Sequence, residues 1–211
     1  MNADNIDRQK PRSLEVIFKH HLDNTVECSQ ALSQLFSNLE EPDVYIAKVK
    51  HLEEKGDGLT AEAYYALELL PYSEFIHITE QFVKRLDDIA DGLNNTARLI
   101  DICHPRKIED AAGEILCTLL SMIARLQVEI ARYPDNDLAS VRACRETLKV
   151  NEENADAIYH DWRKKQYRIL VLPLVDETNW TEILGILEQT TDSAYHASVL
   201  LERITRYRQR Q

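Results

Sequence analysis

Glycine and proline are scarce in this chain, at 5 and 6 of 211 residues. An all-β fold needs a turn every few residues and draws its turns largely from these two, so the shortage disfavours it and favours long helices. Long hydrophobic runs are missing as well. The longest, Ile169 to Val175, is interrupted by Pro173, against the ~20 apolar residues of a membrane-spanning helix. The opening MNADNIDRQKPRS is polar and lacks the apolar stretch of a secretory leader. Positive charge is in deficit: the formal net charge is −11, whereas a nucleic-acid binder presents a basic surface to phosphates. Cys28, Cys103, Cys117 and Cys144 form no C-x-x-C pair and lie in or beside helical patterns with apolar neighbours, which reads as buried free thiols in a reducing compartment. Walker A, dinucleotide-binding, H-E-x-x-H and G-x-S-x-G motifs are absent. The expectation is a cytoplasmic chain without a nucleic-acid partner.

Apolar residues make up 44% of the chain, enough for a core, and they recur with the helical period in six segments. These run from about Ser13 to Phe36, Asp43 to Leu70, Ser73 to Ile102, Ile108 to Tyr133, Leu138 to Tyr167 and Glu177 to Arg206. The breaks fall at Glu41-Pro42-Asp43, Pro71, His104-Pro105, Pro134-Asp135-Asn136-Asp137 and Pro173, and Ser73 is placed to cap the third segment. Pro71 and Pro173 occupy matching places, so the pattern is helix–helix–helix, twice. It predicts an all-α fold of two tandem three-helix bundles related by internal duplication, 1–105 and 106–211. The junction is too short for a flexible linker, so the bundles should pack as one rigid unit.

A short acidic signature repeats on this scaffold. Glu53 and Asp57 are four residues apart, as are Asp87 and Asp91; later come Glu152 and Asp156, then Asp192 and His196. The first pair returns after 99 residues (53 to 152) and the second after 105 (87 to 192). Any one such pair in a chain with 36 acidic residues is unremarkable and fits a solvated helix face. Four in this order mark the duplication. Residues i and i+4 share a helix face, and antiparallel helices pack about 8–10 Å apart, so Glu53 and Asp57 can converge with Asp87 and Asp91 on a cation. Glu152, Asp156, Asp192 and His196 can do the same. All lie to one side of the apolar stripes, which places both sites on a bundle flank. Carboxylates brought so close repel and need a cation or protons.

The segments Lys48 to Asp57 and Arg85 to Asp91 resemble the two acidic helix motifs of the PhoU family. Asn151 to Tyr159 and Thr191-Asp192 are similar to the second-half motifs of its branch associated with low-affinity inorganic phosphate transporters. The likeness spans about Leu14 to Ile204. It implies three-helix halves whose acidic pairs bind iron, manganese or zinc, including multinuclear clusters, at Glu53, Asp57, Asp87 and Asp91, and at Glu152, Asp156 and Asp192. It also implies a non-catalytic accessory of phosphate transport, acting with a transporter or its signalling apparatus at the cytoplasmic membrane face. His196 stands where the family has a carboxylate. Imidazole suits iron, manganese or zinc better than magnesium or calcium, and a site containing it should lose metal as pH falls through about 6.

The rival reading is a metal-dependent all-α hydrolase of nucleotide polyphosphates. It needs basic residues in register with the acidic pairs, and none repeat so. A structural scaffold and a homo-oligomer remain open alternatives. The lone E-x-x-H of Glu74 and His77 lacks the partners of a di-iron site. His20-His21 reads as a surface pair. Arg163, Lys164, Lys165 and Arg168, and Arg203, Arg206, Arg208 and Arg210, end two helices, where cations complement the helix dipole. Contact with an acidic transporter loop or anionic lipid is the functional alternative.

Overall fold

Each break in the apolar pattern becomes a helix end. The computed structural model describes residues 12–169 and 173–210, and among these the regular structure is wholly helical: α1 (Leu14–Ser37), α2 (Pro42–Glu68), α3 (Glu74–Cys103), α4 (Asp110–Ile130), α5 (Leu138–Ile169) and α6 (Leu174–Arg208). Most of the polar N-terminal stretch, and residues 170–172 of the apolar run, lie outside the described residues. Ser73 caps α3 as its sequence position suggested, its Oγ accepting from the Ile76 N–H at 3.3 Å. Pro42 begins α2 instead of preceding it, because a first-turn residue has no intrahelical N–H bond to lose. α3 ends where His104 turns left-handed (φ 42°) and Pro105 follows. α4 stops at Ile130, short of Tyr133, in a run of turns.

Helices α1, α2 and α3 pack on one another, as do α4, α5 and α6; α3 lies against α6 and α1 against α4 to join the halves. Phe18 of α1 ties them further, meeting Phe82 edge-on at 5.2 Å between ring centroids and Tyr133 at 5.4 Å. One continuous apolar core results. α4 is long and apolar enough to cross a membrane by length and composition alone, but it packs against α1, α5 and α6.

The burial pattern fixes the register of the repeat. On the first helices, Ile17, Phe18, Cys28 and Leu32 correspond to Ile115, Leu116, Leu126 and Ile130, a shift of 98 (17 to 115). On the second, Val49 and Ala63 correspond to Leu148 and Trp162, a shift of 99 (49 to 148). On the third, Phe82, Val83, Leu86, Leu93 and Ile100 correspond to Ile183, Leu184, Leu187, Ala194 and Leu201, a shift of 101 (82 to 183).

Three sequence expectations need correction. His21 is not on the surface: it is 1% exposed, while His20 is exposed. Position 21 falls one turn after Ile17 and Phe18 on the core stripe, and a hydrogen bond makes a polar ring tolerable there. Cys117 is exposed and Cys103 half-buried, so only Cys28 and Cys144 are core thiols. The last-helix arginines act beyond the dipole. Arg206, with Arg142 and Arg145, surrounds the buried Glu202, and Arg208 donates to the Pro134 carbonyl. Burial pushes the Glu202 carboxyl up, but the arginine hydrogen bonds and charges more than offset it, holding it below the usual range.

The halves meet most closely at Gly92 of α3. A Cβ there would lie 2.0 Å from the Thr190 Oγ1 of α6 and 3.0 Å from both Thr190 Cβ and Cγ2, so rotating the threonine cannot relieve the clash. Gly92→Ala should therefore destabilise the protein by about 1–3 kcal/mol through overpacking. Thr190→Ala in the same chain should recover most of the loss. Denaturant melts of the single and double variants check this; a Gly92→Ala protein as stable as wild type would show that the seam yields.

Candidate metal centre

Small residues let α2 and α3 approach where the acidic pairs sit. Gly56 lies between Glu53 and Asp57, and Ala90 between Asp87 and Asp91. A Cβ built on Gly56 would already touch the Ala90 Cβ, at 3.7 Å. This crossing brings Glu53, Asp57 and Asp91 together, with one carboxylate oxygen of each within 4.8 Å of the others. Glu53 is half-buried and Asp57 exposed, so the group reaches the bundle surface. Among the described residues none of the three forms a salt bridge, whereas the neighbouring Asp88 is held by Lys84 and Arg85 at 3.1 and 3.0 Å. The strain appears at Asp91. Burial, then the charges of Asp87, Glu53, Asp57 and Asp88, push its carboxyl up to about 6.

Asp87, expected as a fourth member, is not one of the three, but its charge acts on Asp91. Its Oδ1 accepts from the Thr60 hydroxyl of α2 at 2.9 Å, and the Thr60 Oγ1 lies 3.0 Å from the His21 Nε2 of α1. Burial lowers the His21 pKa to about 4, partly opposed by its own backbone carbonyl and by the Asp57 charge, so the ring is neutral at ordinary pH.

The second half is arranged differently. A shift of 101 places Asp192 at the position of Asp91, not Asp87, and His196 at that of Asn95. Asp87 then corresponds to Glu188, which sequence reasoning missed. The Glu188 carboxyl is raised by burial and by the charges of Asp156, Asp192 and Glu152, with His160 opposing. Each of the other three has a partner on its own helix: Lys149 lies 2.7 Å from Glu152, His160 2.8 Å from Asp156, and His196 3.2 Å from Asp192. His196 thus leans back on Asp192. The signal for Glu188 was present: Glu188 and Asp192 are four residues apart and stand 101 after Asp87 and Asp91, nearer the 99 of the other acidic pair. The small pair at the first crossing is replaced by Ala155 and Thr191, so the second crossing is bulkier.

No protein-family model and no curated protein sequence matches the chain. Solved structures do. A PhoU-like protein from Shewanella oneidensis superposes with a TM-score of 0.75 at 17% identity, covering 94% of this chain and 99% of that one. The phosphate transport system regulatory protein PhoU from Streptococcus pneumoniae gives 0.70 at 17% identity, covering 90% and 92%. The chain has the PhoU-like fold over nearly its whole length.

The Asp91 carboxyl gives the site a pH signature. Its folded pKa of about 6 lies above the ~3.9 of an unfolded aspartate, so the metal-free folded state holds the proton more tightly. Its contribution to stability is complete below about pH 4 and is lost as pH rises through about 6. In chelator, Asp91→Asn should flatten that decline and raise the thermal midpoint at pH 7. Melts of both proteins from pH 4 to 7 test this; parallel declines would mean that Asp91 is not strained by its neighbours.

Proposed function

We propose that the chain is a regulatory accessory of phosphate transport that binds a transition metal at its first acidic cluster and has no catalysis of its own. The observation that carries this reading is the group Glu53, Asp57 and Asp91, three converging carboxylates that form no salt bridge among the described residues, on a PhoU-like scaffold. The donor set fits a cation. Glu53, Asp57, Asp87 and Asp91 supply only oxygen ligands, which among iron, manganese and zinc favours manganese or iron over zinc. A bound cation would neutralise the repulsion that the ionised carboxylates, Asp91 among them, exert on one another at neutral pH. The chain's own residues orient the carboxylates and hold them on two helices. The partner is a phosphate transporter or its signalling apparatus, in keeping with the regulatory description of the Streptococcus pneumoniae protein.

The hydrolase reading finds less support. The hollow beside Asp91 has a volume of about 230 Å³ and is lined by Asp88, Gly92, Asn95, Gln189, Thr190 and Ser193 among others, with no lysine or arginine. Such walls offer nothing to a polyphosphate. The second site, where Glu152, Asp156, Asp192 and His196 are joined by Glu188, is the weaker cation binder, because Lys149 already pairs with Glu152 and the His160 and His196 rings lie against Asp156 and Asp192.

Elemental analysis of protein purified without chelator or affinity tag should find bound transition metal, lowered by Asp57→Ala with Asp91→Ala. Unchanged stoichiometry in that double variant would place the metal elsewhere. Cells lacking the protein should show altered phosphate uptake that the wild-type chain corrects and the double variant does not. Uptake indifferent to the protein's presence would remove the regulatory reading.

A further inference from the structure

Behind the first acidic cluster, three helices are joined by a chain of side-chain hydrogen bonds whose direction is fixed by proton count. A hydroxyl has one proton. Thr60 gives it to the Asp87 carboxylate at 2.9 Å, so its oxygen must accept from His21, and the imidazole must carry its proton on Nε2. Thr60 differs in this from other helical threonines of the chain. Thr25, Thr79, Thr96 and Thr190 each donate to the carbonyl one turn earlier, at 2.7–2.9 Å. The same default was open to Thr60, toward the Gly56 carbonyl. It turns to Asp87 instead, and the buried His21 Nε2 lies 3.0 Å from its oxygen.

We propose that His21 and Thr60 are positioning residues for the first cluster: the relay from His21 through Thr60 fixes one oxygen of Asp87 and leaves the other to a cation shared with Glu53, Asp57 and Asp91. This rests on reading the cluster as a metal site. Such outer hydrogen bonds orient ligands and tune affinity in metal sites generally. The relay is confined to the first half. At the shifts of 98 and 99, His21 becomes the apolar, fully buried Leu119, and Thr60 becomes Tyr159, whose hydroxyl accepts from Arg163 at 3.2 Å. The duplicated scaffold therefore carries a braced carboxylate in one half only, and cation affinity is concentrated there.

The test uses the full chain, stripped with chelator and titrated with Mn²⁺ by calorimetry, beside thermal melts with and without the ion. Thr60→Val keeps the shape and removes the hydroxyl; it should weaken Mn²⁺ binding about 10–100-fold. Thr60→Ser keeps the donor and should bind close to wild type. His21→Leu, the residue type of the second half, should weaken binding in the same direction, and it carries the test alone if Thr60→Val does not fold. A purely structural role would lower the melting point of the metal-free variants yet leave their Mn²⁺ affinity at the wild-type value, and that result overturns the proposal while the metal site stands. Wild-type protein that binds neither Mn²⁺ nor Fe²⁺ nor Zn²⁺ would remove the metal reading itself, and the positioning role with it.

Discussion

Repulsion among Glu53, Asp57 and Asp91 is the constraint from which the rest of the site follows. Two carboxylates about 4 Å apart repel by about 1 kcal/mol in water and about 4 kcal/mol near a protein surface. Set against a folding stability of about 5–15 kcal/mol, that is not a detail. The chain holds the three together all the same, through the close crossing at Gly56 and Ala90 and the continuous core beneath it. Without a cation the repulsion is relieved by a proton only as pH falls to about 6 and below, and the raised pKa falls on Asp91, where burial adds to the charge of its neighbours. Such a cluster gains from a proton at mildly acidic pH and would gain from a cation at neutral pH.

Duplication supplied two copies of the scaffold, and side-chain chemistry has made them unequal. At the first crossing the small pair brings Glu53, Asp57 and Asp91 together, with no salt bridge to any of them among the described residues. At the second, Lys149, His160 and His196 each sit beside an acid on their own helix. Such i,i+3 and i,i+4 pairs are worth only about 0.2–0.5 kcal/mol as helix stabilisers. Their larger effect is to engage the carboxylates, and Lys149 also lowers the local negative potential that would attract a cation. The difference extends into the core, where His21 and Thr60 face Asp87 and an apolar leucine stands in the other half.

The fold was legible because its punctuation is unambiguous. With so few prolines and glycines, Pro71, Pro105 and Pro173 each mark a real helix end, and the apolar stripe between them gives the buried face. The first cluster was legible for a related reason: i,i+4 acids on two successive antiparallel helices have few ways to point. The pairing of Asp192 and His196 with Asp87 and Asp91 misplaced the register by four residues. A slip of one helical turn returns every side chain to nearly the same face, so periodicity alone cannot detect it. Only the burial of Ile183, Leu184 and Leu187 against that of Phe82, Val83 and Leu86 settles the alignment and brings in Glu188. His21 was missed for a different reason. A polar residue on a core stripe looks like a stripe edge until its hydrogen-bond partner on another helix is known.

The position of the first cluster bears on how it could act without chemistry of its own. Asp91 precedes Gly92, the residue at which α3 meets Thr190 of α6, and α3 also packs on α1 and α2. The helix that carries two of the four carboxylates therefore lies at one of the two seams between the halves, the other being α1 against α4. Thr60 and His21 connect Asp87 to the other two helices of the first bundle. An ion held there touches, through side chains one or two bonds removed, every helix of its own half and the seam to the next. No substrate pocket is needed for such a site to matter. What it requires is a rigid path from charge to interface, and the close packing at Gly92, with no room for a methyl group, provides one.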